Sequence, residues 1–399
     1  MTAAGPRVRP PLWTRSFVLL TLANLGVFVT FYMLAATLAG YAVIAYGASP
    51  SEAGLVSSIF FIGGTIGRFV VGRALARLGS RVVVLGSTAW LLATCLLYLL
   101  PSTLTSMLVI RVLHGIGFGF AATALASTVM GAVPATRRGE GSGWFTAGMA
   151  VATGLAPAVG LWLLRTPLGQ SGVFMVTAAC AAVAVLTPLL VRRDLPGRIR
   201  RGTDDPPHES GLASLLEWRT MPIGLAVGFC AFPFSTILAF LNPYAVEHGL
   251  TDAAAFYFLA YAVVIVVSRP VAGLVQDRYG DDIVTVPVML SLAAGTVLTA
   301  VAPNGTVLVL AGGLLGLGYG TLTSVGQAIA VGRAGAARVG VGVATYFLLV
   351  DLGTGLGPFT LGALVPSLGY TGTFLVGAAF VGLGLTAYLL VARRVRPAP

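Results

Sequence analysis

The 399-residue chain is 57% hydrophobic and 9% charged, with 24 basic against 13 acidic residues and a formal net charge of +11. Soluble domains carry about 25% charged residues, so composition excludes a water-soluble globule of this length. The basic residues are all arginine and sit mostly between apolar runs, which argues against a nucleic-acid-binding surface.

Mean hydropathy is +0.92, and the apolar runs are roughly twenty residues long, enough to cross a bilayer as helices. In chain order the predicted spans are 17–45, 53–75, 82–100, 105–131, 140–164, 171–191, 220–244, 254–276, 283–302, 306–331, 340–364 and 370–392. No small-residue cleavage site follows the first run, so it reads as a retained span. The polar interval 192–219, rich in Arg, Asp and Pro, divides the chain into six spans plus six. The expected organisation is a six-helix bundle over 1–191, a cytoplasmic linker over 192–219 and a second six-helix bundle over 220–399. The linker arginines Arg192, Arg193, Arg198, Arg200 and Arg201 can also dock on anionic lipid.

Arginine placement predicts orientation. With the N-terminus inside, the inner segments hold 20 of the 24 arginines and the outer loops hold Arg165 alone; Arg68, Arg111 and Arg269 fall within spans. This is the positive-inside pattern. It predicts a multi-pass protein with both termini cytoplasmic; the expected setting is a bacterial inner (cytoplasmic) membrane, in contact with the lipid bilayer, with the chain as a monomer.

The two halves repeat at an offset of 201 residues. Arg68, Gly72, Arg77 and Gly79 match Arg269, Gly273, Arg278 and Gly280; Gly115, Gly117 and Gly119 match Gly316, Gly318 and Gly320; Gly154 and Pro157 match Gly355 and Pro358. Six spans return the chain to its starting side, so these are parallel repeats about an axis along the membrane normal. Such an architecture suits two bundles rocking about a site at their interface.

These motifs resemble the major facilitator superfamily over nearly the whole chain. The family's loop signature after span 2, G-x-x-x-D-R-x-G-R-R/K, corresponds here to Gly72 through Arg81, with Ala76 where the family has Asp. The second copy, Gly273 through Gly280, keeps the acid as Asp277. Span 4 carries Arg111-x-x-His114-Gly115, similar to the family's R-x-x-Q/H-G. Gly148, Gly154, Ala156, Pro157 and Gly160 in span 5 look like the glycine-proline motif of the drug:proton antiporters, and Gly353 through Pro358 in span 11 form its counterpart. The resemblance implies an all-α fold of twelve transmembrane helices in two pseudo-symmetric bundles, working by alternating access.

Several residues carry the expected chemistry. Gly154, Pro157, Gly357 and Pro358 allow close helix approach and bending, as a gating seam or as ordinary packing. Arg77, Arg81, Asp277 and Arg278 would latch the cytoplasmic side, with Asp277 capping the start of span 5. Asp351 lies thirteen residues after Arg338, roughly 18–20 Å of helix, near the middle of a hydrocarbon core about 30 Å thick. A carboxylate there costs at least about 2.5 kcal/mol and is by default a functional-site hypothesis. It reads as the proton-coupling acid or as the partner of a structural ion pair with Arg68, whose depth is comparable; Arg111 is an alternative partner. Arg111 and His114 share one turn of span 4; arginine keeps its proton, whereas histidine titrates near neutrality. His114 is thus a candidate proton relay and substrate contact, or simply a packed hydrogen-bonding residue. Glu52 and Asp252 read as N-terminal caps.

The resemblance places spans 1, 4, 7 and 10 around the central cavity. Asn24, Phe28 and Tyr32 in span 1, Phe232 and Phe234 in span 7, and Tyr319 and Gln327 in span 10 are then the candidate substrate contacts, an apolar set with a few polar groups. The three histidines and three cysteines have no metal-ligand spacing, and with no lysine there is no phosphate-binding Gly-Lys-Ser/Thr loop. Neither an enzyme nor a cofactor or metal site is expected. The expected partners are protons and a small-molecule substrate, either a drug-like compound or natural product exported against protons, or a polar metabolite such as a sugar or opine-type metallophore. An uncoupled facilitator is the further alternative.

Overall fold

The computed structural model describes residues 11–100, 103–134, 138–191, 216–334 and 338–395. Its helices are α1 (Arg15–Tyr46), α2 (Pro50–Leu78), α3 (Ser80–Leu97), α4 (Leu104–Ala132), α5 (Arg138–Leu164), α6 (Gly169–Leu189), α7 (Met221–Glu247), α8 (Thr251–Tyr279), α9 (Asp281–Ala300), α10 (Gly305–Leu315), α11 (Thr321–Ala334), α12 (Val339–Gly362) and α13 (Val365–Leu390). A π-helical turn, Gly316–Gly320, joins α10 to α11. Among the described residues eleven segments are long and apolar enough to cross a membrane, with α10, the π turn and α11 counted as one; the apolar stretch Gly148–Leu164 belongs to α5. Helices are the physical outcome, because lipid offers no partner for backbone N–H and C=O groups and a helix satisfies them within the segment.

Local chemistry sets the ends. Ser49 caps α2, and the Glu52 carboxylate accepts the Ser49 backbone N–H at 2.8 Å, a reciprocal capping box. Thr103 with Ser106 and Asn304 start α4 and α10 in related ways. The α2–α3 and α8–α9 turns are a single residue each, Gly79 at φ 81° and Gly280 at φ 92°, a backbone that an L side chain rarely adopts. These two glycines are 201 residues apart.

The same offset holds in the packing. Gly115 sits against the Phe60 carbonyl and Gly316 against that of Tyr261; Gly117 packs on Leu91 and Gly318 on Leu292. The Trp90 indole N–H donates to the Leu113 carbonyl at 2.8 Å, and the Ser291 hydroxyl donates to the Leu314 carbonyl at 2.9 Å. α7 is buried along most of its length, whereas α8 and α13 expose long apolar faces. The former is central and the latter two face lipid. One face of the bundle carries the arginine-rich segments; the other carries the α1–α2, α5–α6, α7–α8 and α12–α13 turns and is arginine-poor. At the arginine-rich face Arg338 pairs with Glu217 at 2.8 Å, so the last described residues before α7 are tied to the base of α12.

Three expectations are corrected here. The tenth span is not one continuous α-helix. Glu52 acts as the third residue of a capping box, the cap itself being Ser49. Asp252 caps nothing: α8 has no side-chain cap, and Asp252 pairs with Arg165.

Candidate functional site

The halves meet along three helix pairs, α1 with α7, α2 with α12 and α5 with α8. Small residues make the approach possible. Along the α2–α12 seam, Gly54 lies against the Pro358 carbonyl, the Ser58 hydroxyl oxygen accepts the Phe359 N–H at 3.1 Å, Phe61 covers Gly355, and Arg68 forms an ion pair with Asp351. These α2 positions are spaced by four, three and seven residues and share one helix face. Along the α5–α8 seam, Gly154 lies against Ala262. That contact is the image of Gly355 against Phe61 under the repeat offset. At the arginine-poor rim the seam ends in the Arg165–Asp252 pair. Gly40 on α1 faces the side-chain amide of Asn242 on α7. These contacts run from the depth of Arg68 to the arginine-poor face.

Asp351 is twelve residues from one end of α12 and eleven from the other, so it lies near mid-depth. Its side chain is 19% exposed and that of Arg68 37%. The pair is neither sealed in a core nor spread on an outer surface. It also bridges the two halves, so any motion that separates α2 from α12 must pull the charges apart.

Arg111 and His114 lie elsewhere, inside the first half. Arg111 is fully buried; its Nε donates to the Val56 carbonyl at 2.9 Å, and its guanidinium lies 4.7 Å from the centre of the Phe60 ring. His114 is also fully buried, with Nε2 3.3 Å from the Thr30 hydroxyl and Nδ1 3.3 Å from that of Tyr98. It ties α1, α3 and α4 together. The structure thus joins Asp351 to Arg68 and not to Arg111 or His114.

The candidate substrate residues divide between two walls. Phe28 packs edge-on against Phe118 and is stacked with Tyr32. The Tyr32 hydroxyl lies beside Thr153 on α5 and within electrostatic range of Arg269 on α8, toward the other half. In the second half Phe234 stacks on Tyr319 with ring centres 4.0 Å apart, and Tyr261 lies behind it. Asn24 is buried, its Oδ1 without a hydrogen-bond partner among the described residues. Gln327 is half-buried on α11. Phe232 departs from the expected set: it stacks on Phe380 of α13, on a different face of α7 from Phe234.

The gating residues also separate. Gly154 and Pro358 lie in the seams, and Pro157 is buried in α5. Gly357 instead packs on the backbone of Phe232, inside the second half. Arg81 donates to the Val191 carbonyl at 2.8 Å, tying α3 to the end of α6. Arg77 is exposed, and Arg278 lies over the Tyr279 ring. The side chain of Asp277 and its expected partners at Arg137 and Arg138 fall outside the described residues.

Sequence reasoning passed over Arg269 as a site residue. Its Nε donates to the Gly320 carbonyl of the π turn at 3.1 Å and its Nη2 to the Thr323 hydroxyl at 3.3 Å. π turns frequently mark functional positions. The signal was present, since the repeat aligns Arg269 with Arg68.

The chain matches the sequence profile of the Major Facilitator Superfamily over residues 20–306 and 252–399. A multidrug resistance protein B homolog from Mycobacterium tuberculosis is 37% identical over 142 residues, 36% of this chain but 26% of that protein, so the chain spans about a quarter of that relative's length. The transcription regulatory protein OpdE of Pseudomonas aeruginosa is 25% identical over 327 residues, 80% of each chain. Among solved structures, a bacterial homolog of the human lysosomal transporter Spinster, inward-facing and unoccupied, superposes with a TM-score of 0.79 over 98% of this chain and 100% of that one, at 15% identity. At that identity the likeness concerns the fold alone.

Proposed function

The chain belongs to the Major Facilitator Superfamily of membrane transporters, and from that premise we propose that it exports a small organic molecule in exchange for protons. The observation that carries this reading is the Arg68–Asp351 pair, a partly exposed ion pair at mid-depth bridging the two moving bodies. The similarity to a multidrug resistance homolog and the glycine-proline pattern of α5 support export of a drug-like compound or natural product.

The arginine-poor face is taken as external and the arginine-rich face, with both termini, as cytoplasmic. The seam contacts then close the external side, and the molecule as described opens inward. In this state Asp351 is ionised and held by Arg68, its proton already released to the cytoplasm. Substrate enters between the Tyr32 wall and the Phe234–Tyr319 wall. Reorientation parts α2 from α12 and leaves the Asp351 carboxylate without its partner. An unpaired charge in apolar surroundings is costly and neutralises by binding a proton, here from the external side. Re-closing the seam presents Arg68 again and expels the proton inward. Arg111 and His114 maintain the interior of the first half. The protein works as a monomer holding one such site.

The test is proton movement in proteoliposomes with a preset pH gradient and an internal pH-sensitive dye, challenged with aromatic drugs, sugars and amino-acid-derived chelators. Substrate-triggered proton flux that disappears in Asp351→Asn is the expected result. Flux of equal size in the variant would remove Asp351 from coupling, and substrate movement without proton flux in either protein would make it a facilitator.

A further inference from the structure

Arg68, Arg111 and Arg269 lie deep within the spans, and the structure treats each differently. Arg68 has a carboxylate partner in Asp351. Arg111 is sealed by backbone carbonyls and the Phe60 ring. Arg269 is half-buried, and among the described residues it has no carboxylate partner. The repeat explains the difference. Arg269 is the image of Arg68, but the image of Asp351 is Ala150.

A guanidinium offers five N–H donors. Two of those on Arg269 are used, by the Gly320 carbonyl and the Thr323 hydroxyl. Both acceptors are neutral, so they orient the group without cancelling its charge. The Thr323 hydroxyl in turn donates to the Gly320 carbonyl at 3.1 Å, so the two acceptors are tied to each other, and the Tyr346 hydroxyl donates to the Thr323 carbonyl at 2.9 Å. The hydroxyls of Tyr32, Tyr261 and Tyr346 lie within electrostatic range of Arg269; Tyr32 comes from the opposite half. The surroundings include hydroxyl-bearing aromatic rings in a low-dielectric span, and the remaining planar donors have no carboxylate partner among the described residues. An unpaired intramembrane charge is a functional group by default, and a planar fork with free donors matches a carboxylate bidentately.

We infer that Arg269 is the receptor for an anionic group, of the carboxylate class, on the transported molecule. The molecule's apolar body would lie against the Phe234–Tyr319 stack, and Tyr32 would close over it from the first half. This rests on the transport reading above and names the substrate class of that same site. The π turn has a role here: it turns the Gly320 carbonyl to Arg269 and places Tyr319 beside the same space.

The test measures binding without a gradient, so it is independent of proton coupling. Purified protein in lipid nanodiscs is titrated with 1-naphthoate, indole-3-acetate and benzoate, each beside its uncharged amide, followed by tryptophan fluorescence and the shift in Tm. The native protein should prefer at least one acid over its amide by roughly 10–100-fold, the range a charge-assisted hydrogen bond supplies. Arg269→Gln should erase that preference while leaving amide binding in place. Arg269→Lys keeps the charge but loses the fork, and should retain only part of it. Retained amide binding in Arg269→Gln shows that the variant is folded; should it not fold, the Arg269→Lys result decides alone, and an unreduced preference there overturns the proposal. Equal binding of acid and amide by the native protein, or binding of neither, also overturns it, as does a preference that survives Arg269→Gln. A carboxylate preference that depends on Arg269, with no proton flux in vesicles, would uphold this subsite and remove the exchange mechanism instead.

Discussion

A methyl group placed at Gly54 should open the arginine-poor side of the molecule. The Cβ of an alanine there would lie 2.8 Å from the carbonyl carbon of Pro358 and 3.2 Å from the Cα of Phe359. Relaxed carbon contacts are about 3.5–4.0 Å, so α12 must retreat from α2 by about 1 Å, and the obstructing atoms are backbone that no side-chain rotation can clear. Overpacking of this kind costs about 1–3 kcal/mol. The penalty exists only while the seam is closed, so it becomes a shift of the conformational equilibrium of about 5–150-fold toward the open seam. Gly273→Ala is the control, because a Cβ there meets nothing within 4 Å. Spin labels at Leu168→Cys and Glu247→Cys, exposed positions near the arginine-poor face in opposite halves, report the separation by pulsed electron resonance. Gly54→Ala should move population from the short to the long distance and Gly273→Ala should not. An unchanged distribution in a folded Gly54→Ala protein, or the same shift from the control, would refute the steric account of the seam.

Two further outcomes follow from the charged groups. Removing one member of the central pair, as Arg68→Gln or Asp351→Asn, leaves the other uncompensated; the double variant should therefore have a higher Tm than Arg68→Gln alone, with a coupling of about 1–3 kcal/mol in a double-mutant cycle after allowance for the partial exposure of Arg68. Additive effects would mean that the pair is not formed in the membrane. His114→Gln should lower stability by about 1–3 kcal/mol, since the Thr30 and Tyr98 hydroxyls lose an imidazole placed between them, yet leave substrate-triggered proton flux in place; loss of flux in a folded variant would route the proton through the first half.

Much of this architecture could be read before any coordinates. Apolar runs and arginine placement are one-dimensional signals, and so is the glycine repeat, because each glycine marks a place where one helix lies on another's backbone. Depth along two helices and a fixed rise per residue made Arg68 a candidate partner of Asp351 beside Arg111, and packing of α2 on α12 selected it. Other features depend on partners distant in the chain. Gly115 through Gly119 and Gly316 through Gly320 are nearly the same in spacing, yet only the second region contains a π turn, with Arg269 holding its last carbonyl. Phe232 and Phe234 look equivalent in composition, but two residues turn a helix by about 200°, and the actual burial of α7 decides which ring faces inward. Asp252 had the signature of a cap and found Arg165, in the turn just after α5, instead.

The two seams that join the halves descend from one pattern and are chemically unlike. Parting α2 from α12 requires separating opposite charges at mid-depth, where few waters can compensate. Parting α5 from α8 disturbs the packing of Gly154 on Ala262 and a pair at the aqueous rim, where Asp252 is 86% exposed and solvent replaces what is lost. Resistance to opening is therefore lopsided. In the transport cycle proposed above, the bundle would act as a door, with a latch along the α2–α12 edge and a hinge along the α5–α8 edge.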